Sequence, residues 1–213
     1  MESANRIWFP GNPWPEGHAI AHLAWTGRIE NDGLYFDLDL HSADYYAERE
    51  VESEEEFDSW KSPIVWGNYH ACSLSSTKWG PDEGIFVADD DDPLDWRELS
   101  EWVFDVDMKK AVDDHDNHAF HIYLLGHDTV LRHHIHFTEA RGSTYRLSWK
   151  ARIALTYAGD TELKHRLEVD ADVSFRGFHA APDLENPREL LERFTRGDTR
   201  YTRRDDTFIP FPT

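Results

Sequence analysis

The residues best suited to chemistry in this sequence are histidines, and many of them lie close together. Thirteen histidines occur among 213 residues, and seven of them fall between His115 and His136. His134 and His136 form a His-x-His pair within a run whose alternation of apolar and polar residues predicts a β-strand. The apolar positions of that run are Leu131, Ile135 and Phe137. Because side chains alternate between the two faces of a strand, we expect both imidazoles to project from the face opposite the core.

The turn before this strand decides whether a third imidazole joins the pair. With a two-residue turn at His127 and Asp128, His121 on the preceding strand would lie opposite His134. With a three-residue turn at Gly126, His121 would point inward instead. The number of residues in one turn therefore separates a cluster of three histidines from a pair.

A cluster of His121, His134 and His136 would suit a metal ion. Three imidazoles on one face of a sheet can bind Zn²⁺ or another first-row divalent metal and leave a position open for water. A metal-bound hydroxide could then attack a carbonyl, ester or phosphoryl centre. His115 and His118, in the acidic loop that leads into this region, are possible additional ligands.

Two runs further along the chain have the clearest strand pattern: Tyr145–Tyr157 and His165–Phe175. Their odd positions are apolar and nearly all their even positions are polar, which predicts two antiparallel strands that bury the odd side chains. Because opposed residues must point to the same face, the loop between the strands should hold an odd number of residues. A three-residue loop centred on Asp160 would place Arg152 opposite Glu168 and Lys150 opposite Asp170, two pairs of opposite charge.

The rest of the chain predicts shorter elements. Further strands are expected at His18–Ile29, Leu34–Leu40, Ile64–Ser75, Gly84–Ala88 and Trp102–Val106. Asp-Pro and Asn-Pro start signals predict helices at Pro93–Ser100 and Pro187–Arg196, and a capping box of Ser53 and Glu56 could begin a third. The predicted fold class is mainly β: an antiparallel β-sandwich or a strongly coiled open barrel with two or three short peripheral helices.

Composition limits the kind of protein. The length favours a single β-rich domain over residues 1–213, with an extended N-terminal arm at 1–17 and a C-terminal tail at 198–213. The net charge of −20 argues against nucleic acid and anionic membranes as partners, since both are polyanions. One cysteine, Cys72, and the lack of a long apolar run lead us to expect a cytoplasmic protein with a buried, inert thiol.

The sequence predicts function mainly by exclusion. Gly-x-Ser-x-Gly, P-loop, dinucleotide-binding and His-Glu-x-x-His motifs are all missing from it. We therefore expect a soluble, non-catalytic binding or interaction module without a cofactor, whose partner is a protein or a small molecule. The alternative is a metal-dependent hydrolase or lyase that uses His121, His134 and His136. The oligomeric state is left open.

Overall fold

The computed structural model describes residues 5–52, 58–79, 84–114, 117–141, 143–181, 183–197 and 199–211. It is mostly β, with 47% of residues in strands and 10% in helices. The strands are β1 (Arg6–Trp8), β2 (His18–Ile29), β3 (Leu34–Ser42), β4 (Ser73–Ser75), β5 (Ile85–Ala88), β6 (Val103–Val106), β7 (His121–Tyr123), β8 (His127–Arg141), β9 (Thr144–Ala154), β10 (His165–Ala180), β11 (Arg200–Arg204) and β12 (Thr207–Phe211). The α-helices are α1 (Pro63–Gly67) and α2 (Pro187–Arg193).

The strands form one 12-stranded sheet that curls into a ring-like shape without becoming a barrel. Its order is β1-β2-β3-β4-β7-β8-β9-β10-β12-β11, with β5 added to β3 and β6 added to β8. The ring closes because β1 and β2 also pair with β10. Nearly all neighbours are antiparallel, and the exception is β2 against β10, where Trp25 pairs with Phe175 in parallel. The prediction of a mainly β, antiparallel fold with a few short helices is confirmed.

The long strands β9 and β10 bury the predicted face. Leu147, Trp149, Ala151 and Ile153 are buried on β9, as are Leu167, Val169, Ala171 and Val173 on β10. The even-numbered side chains of both strands lie on the outer face of the sheet, where most are half-buried or exposed. Alternation alone therefore predicts correctly which face of these strands meets the core.

The register between β9 and β10 differs from the predicted one by two residues. Glu168 lies opposite Lys150, and Arg166 lies opposite Arg152, so the predicted Arg152–Glu168 pair is wrong. The cause is the loop, because β9 ends at Ala154 and a 3₁₀ turn at Thr156–Ala158 follows before the chain returns. Parity is preserved, since a shift of two residues keeps every side chain on its face.

The hairpin between β7 and β8 closes with three residues rather than two. Tyr123 pairs with His127, so the loop consists of Leu124, Leu125 and Gly126. Gly126 has a φ of 133° and its Cα packs against the ring of Tyr157, where an added Cβ would lie 2.3 Å from Cγ. Only glycine fits both the backbone angle and the space.

Two of the predicted local elements are different in the structure, and one lies partly outside it. Residues 93–100 do not form the predicted helix, because the N–H and C=O of Leu94 bond to Phe194 and Arg196 and only a 3₁₀ turn at Leu99–Glu101 follows. The predicted strand Ile64–Ser75 is divided between α1, which has Pro63 in its first turn, and the short strand β4. The capping box at Ser53 and Glu56 falls outside the described residues.

Other predicted elements agree with the structure. The hairpin of β2 and β3 is confirmed, with Ile29 paired to Leu34 across the Asn31–Gly33 turn. Helix α2 begins at Pro187 as predicted but ends at Arg193, three residues early. The predicted arm contains β1, and residues of the predicted tail form the hairpin β11–β12, which pairs with β10. Cys72 is buried, and burial raises the pKa of its thiol.

Aromatic side chains fill the interior of the sheet. Trp25, Phe36, Phe137 and Phe178 are buried in the middle, and Trp14, Tyr45 and Trp66 surround His18 near the N-terminal segment. No helix among the described residues is both long and apolar enough to cross a membrane.

Candidate functional site

The structure does not bring the three predicted metal ligands together. His121 pairs with Ser75 on β4, whereas His134 lies between Lys150 on β9 and Asp105 on β6. The three-residue loop between β7 and β8 accounts for the separation, since the two-residue turn was needed to place His121 opposite His134. Across the described part of the chain, no group of three His, Cys, Asp or Glu side chains is arranged to hold a metal ion.

The remaining predicted histidines make hydrogen bonds that anchor neighbouring segments. Nδ1 of His134 is 2.8 Å from Oδ1 of Asp105, and Nε2 of His136 donates to the carbonyl of Ser100 at 2.9 Å. His118 is buried and donates from Nε2 to the carbonyl of Ala111. His115 lies outside the described residues.

A different region of the surface is concave. Two cavities of about 700 and 570 Å³ flank the loop at Pro10 and Gly11, which lines both of them. The larger cavity is bounded by the start of β10 and by the segment around Trp60. Its volume is within the range of small-molecule sites, which is roughly 300–1,000 Å³.

An aromatic stack forms one wall of the larger cavity. The rings of Trp60 and His165 are 3.9 Å apart and nearly parallel, at 16°. Burial lowers the pKa of His165, and the nearby ammonium of Lys164 lowers it further. Nε2 of His165 is buried and has no hydrogen-bond partner among the residues that the structure describes. This wall therefore combines a flat ring pair with a buried polar atom.

The outer face beside this cavity carries four cations, and among the described residues only Arg166 has an ion pair, which is long. Arg152 and Arg166 lie directly opposite each other on β9 and β10, and both are exposed. Among the described residues, Arg152 makes no hydrogen bond or ion pair, and the nearest acidic contact of Arg166 is Glu168 at 4.0 Å. Arg132 on β8 and Lys150 on β9 are also exposed and have no ion pair within the described part of the chain. We call these four residues the cationic face.

The cationic face contrasts with the rest of the molecule. The chain has 42 acidic and 22 basic residues, so adjacent cations with one long ion pair among them are unexpected on charge alone. Nearby, Arg146 does find acids, with ion pairs to Asp170 and Asp172. Like charges directly opposed on a sheet destabilise it, and two guanidinium groups side by side match the geometry of a carboxylate or phosphate. The arrangement can bind an anion.

The cationic face was not predicted from the sequence, because the predicted register between β9 and β10 was wrong by two residues. The predicted pairing placed Arg152 against Glu168, which would have neutralised it, and the two-residue shift places Arg152 against Arg166. The length of the loop between the strands was the only signal in the sequence that could have revealed the difference.

Searches against protein-family models, curated proteins and solved structures found no match to this chain.

Proposed function

We propose that this protein is a binding module for a small organic anion that carries carboxylate or phosphate groups. The observation that supports this proposal is the cross-strand pair of Arg152 and Arg166. Among the described residues, Arg152 has no acidic partner and Arg166 has only a long contact of 4.0 Å to Glu168. An anion placed between the two guanidinium groups would replace repulsion with two charge-assisted hydrogen-bonding contacts.

The neighbouring cavity supports a small ligand over a large one. Arg166 belongs both to the cationic face and to the wall of the larger cavity, so a ligand held by the arginines can extend toward His165 and Trp60. The flat ring pair offers an apolar surface for the uncharged part of that ligand. A polyanion such as nucleic acid would meet the overall charge of −20, which opposes its approach.

Removing the two arginines should weaken anion binding. We expect the Arg152→Ala/Arg166→Ala variant to bind pyrophosphate or citrate at least ten-fold more weakly than the unmodified protein, because each charge-assisted hydrogen bond contributes about 1.5–3 kcal/mol. Isothermal titration calorimetry at low ionic strength measures the affinity, and comparing the two probes distinguishes phosphate from carboxylate chemistry.

A matched control separates local binding from overall charge. Arg200→Ala/Arg204→Ala also removes two exposed cations, on β11, and should leave the affinity unchanged. If both variants lose affinity equally, the anion responds to net charge and the proposed site is wrong. If the unmodified protein binds neither probe, the proposal fails as well.

The same arginine pair should cost the ligand-free protein some stability. We expect Arg152→Ala alone to raise the free energy of unfolding by a few tenths to about 1 kcal/mol, because it removes a directly opposed like charge. Urea denaturation at low salt measures the change, which should shrink as salt screens the repulsion. A variant that loses stability would show that Arg152 has a structural partner and is not kept for a ligand.

A further inference from the structure

A second group of reactive side chains lies on β3 and β4, strands that do not pair with β9 or β10. Oγ of Ser73 is 2.9 Å from Nδ1 of His41, and Nε2 of the same imidazole is 3.3 Å from Oδ1 of Asp39. Nζ of Lys78 is 3.0 Å from Oγ of Ser73. The serine hydroxyl, the imidazole and the carboxylate thus lie one after another in space, and the ammonium of Lys78 contacts the serine.

The sheet itself creates this order. Asp39 and His41 are two residues apart on β3 and therefore project from one face, and Ser73 is the cross-strand partner of His41 on β4. The side chains of His41 and Asp39 are each 29% exposed, so the group is held by its neighbours and remains accessible. Lys78 lies over the ring of Trp79, 5.3 Å from its centre, which limits the positions of the ammonium.

The carboxylate determines which imidazole nitrogen can act as a base. Oδ1 of Asp39 is buried, has no hydrogen-bond partner among the described residues and lies 3.3 Å from Nε2 of His41. The negative charge of the carboxylate favours a proton on the imidazole nitrogen that faces it. Nδ1 then has a free lone pair and accepts the hydroxyl proton of Ser73. His22 approaches the other oxygen of Asp39 at 3.5 Å and helps to hold the carboxylate in place.

We infer that Ser73 is a nucleophile that accepts acyl groups from small carboxylic esters, a function beyond the proposed binding of anions. Oγ attacks the carbonyl carbon while His41 takes the hydroxyl proton at Nδ1, and the ester C–O bond then breaks. The departing alkoxide takes that proton and leaves as an alcohol. Water, deprotonated by His41, then attacks the acyl carbon, and the bond from that carbon to Oγ breaks. The proton passes from His41 to Oγ, so that a carboxylic acid leaves and Ser73 is restored. Lys78 is the cation next to the negative charge that develops on the carbonyl oxygen.

The surroundings of Ser73 favour esters with an apolar or aromatic part. Tyr123 is the cross-strand partner of Ser73 on the side away from His41, and its ring is 6.0 Å from that of Tyr69 and 5.3 Å from that of His127. Trp79, 38% exposed, lies 6.1 Å from His127. These rings, half-buried at Tyr69 and Tyr123 and exposed at His127 and Trp79, form a surface against which an acyl chain or an aryl leaving group can pack.

A covalent probe tests the nucleophile directly. We expect a fluorophosphonate to label the full-length protein at one residue, Ser73, as identified by peptide mass spectrometry, and we expect 4-nitrophenyl butyrate to be hydrolysed faster than in buffer. Ser73→Ala should abolish both, and His41→Gln should slow labelling at least ten-fold. Ser174→Ala, which removes another outer-face hydroxyl that has a hydrogen bond, is the matched control and should change neither.

Each outcome of this experiment decides the inference. Labelling elsewhere, equal labelling of Ser73→Ala, or no labelling of the folded protein would overturn it. A Ser73→Cys variant tests the environment independently, because His41 and Lys78 should make this thiol react with iodoacetamide at least ten-fold faster in the otherwise unmodified chain than in a His41→Gln background. The Arg152→Ala/Arg166→Ala variant should keep full labelling, so a failure of the anion site and a failure of Ser73 can be told apart.

Discussion

Between pH 8 and pH 5, two buried histidines should together remove about 4 kcal/mol from the free energy of unfolding. Burial lowers the pKa of His18 to about 4, and burial lowers the pKa of His133 to about 3. Both rings therefore stay neutral in the folded protein at pH 5, whereas in the unfolded chain both are protonated below their ordinary value near 6.5. The stability that they contribute is complete above that value and is lost as the pH falls toward the folded-state pKa of each ring.

The contacts of the two rings explain why protonation is unfavourable. Asn12 donates from Nδ2 toward Nε2 of His18 at 3.2 Å, so an added proton there would face another donor. The indole of Trp149 donates to Nδ1 of His133 at 3.1 Å, with the same consequence. The closest acid to His133 is Asp107, whose carboxylate is 4.0 Å from Nε2 and accepts from the backbone N–H of Ala119.

Buried carboxyls act in the opposite direction. Burial raises the pKa of Asp37 and of Asp128, so as the pH falls the folded protein binds these protons before the unfolded chain does. Falling pH therefore increases the stability that these two groups contribute. The prediction for the histidines is therefore tested by variants and not by the pH dependence of the unmodified protein alone.

Two substitutions that keep the hydrogen-bond acceptor test the histidines. His18→Gln places an amide near the position of Nε2, and His133→Asn places one near Nδ1. In urea denaturation at pH 8 and pH 5, each variant should lose about 2 kcal/mol less stability between the two pH values than the unmodified protein. His70→Gln removes an imidazole whose side chain is 77% exposed and is the control for the loss of a histidine outside the core. If neither core variant changes that difference, the buried rings are not the source of acid sensitivity.

Strand faces could be predicted from this sequence because they depend on alternation alone. Leu147, Trp149 and Val169 are buried because the side chains of a strand alternate, whatever strand lies beside it. The partner of Arg152 could not be predicted, because the length of a loop with its own 3₁₀ turn sets the register and strand patterns do not encode it. The separation of His121 from His134 has the same origin, in the three-residue loop that ends at Gly126.

The candidate sites could not be predicted from the sequence, because they depend on pairing between strands that are distant in the chain. Ser73 and His41 are 32 residues apart and meet only because β4 pairs with β3. No local sequence pattern predicts that pairing. Ring closure by β2 and β10 is equally non-local, and its parallel pairing at Trp25 and Phe175 could not be inferred from two strands that each pair well as hairpins. Local sequence patterns in this chain predict most of the strands, and the long-range register between strands determines which side chains meet.

Trp25 lies where β2 pairs with β10 and the sheet closes on itself. Its replacement should be among the most damaging single changes in the core. The side chain of Trp25 is fully buried. Its ring stacks on Phe137 at 4.2 Å and meets Phe36 and Phe175 edge-on at 5.1 and 5.0 Å. Trp25→Ala would leave a cavity among these rings and should cost about 3–5 kcal/mol, a large part of the stability of a typical domain.

Trp25→Phe distinguishes the loss of packing from the loss of polarity. Nε1 of Trp25 is buried and has no hydrogen-bond partner in the described part of the chain, so phenylalanine removes an unsatisfied donor while it keeps most of the aromatic contacts. We expect this variant to cost less than about 1.5 kcal/mol, because the smaller cavity and the removed donor oppose each other. The exposed Trp79 is the matched control, and Trp79→Ala should change stability by less than about 1 kcal/mol. Urea denaturation followed by circular dichroism gives the free energy of unfolding of all three variants. Similar losses of stability for Trp25→Ala and Trp79→Ala would show that the closed sheet does not depend on Trp25.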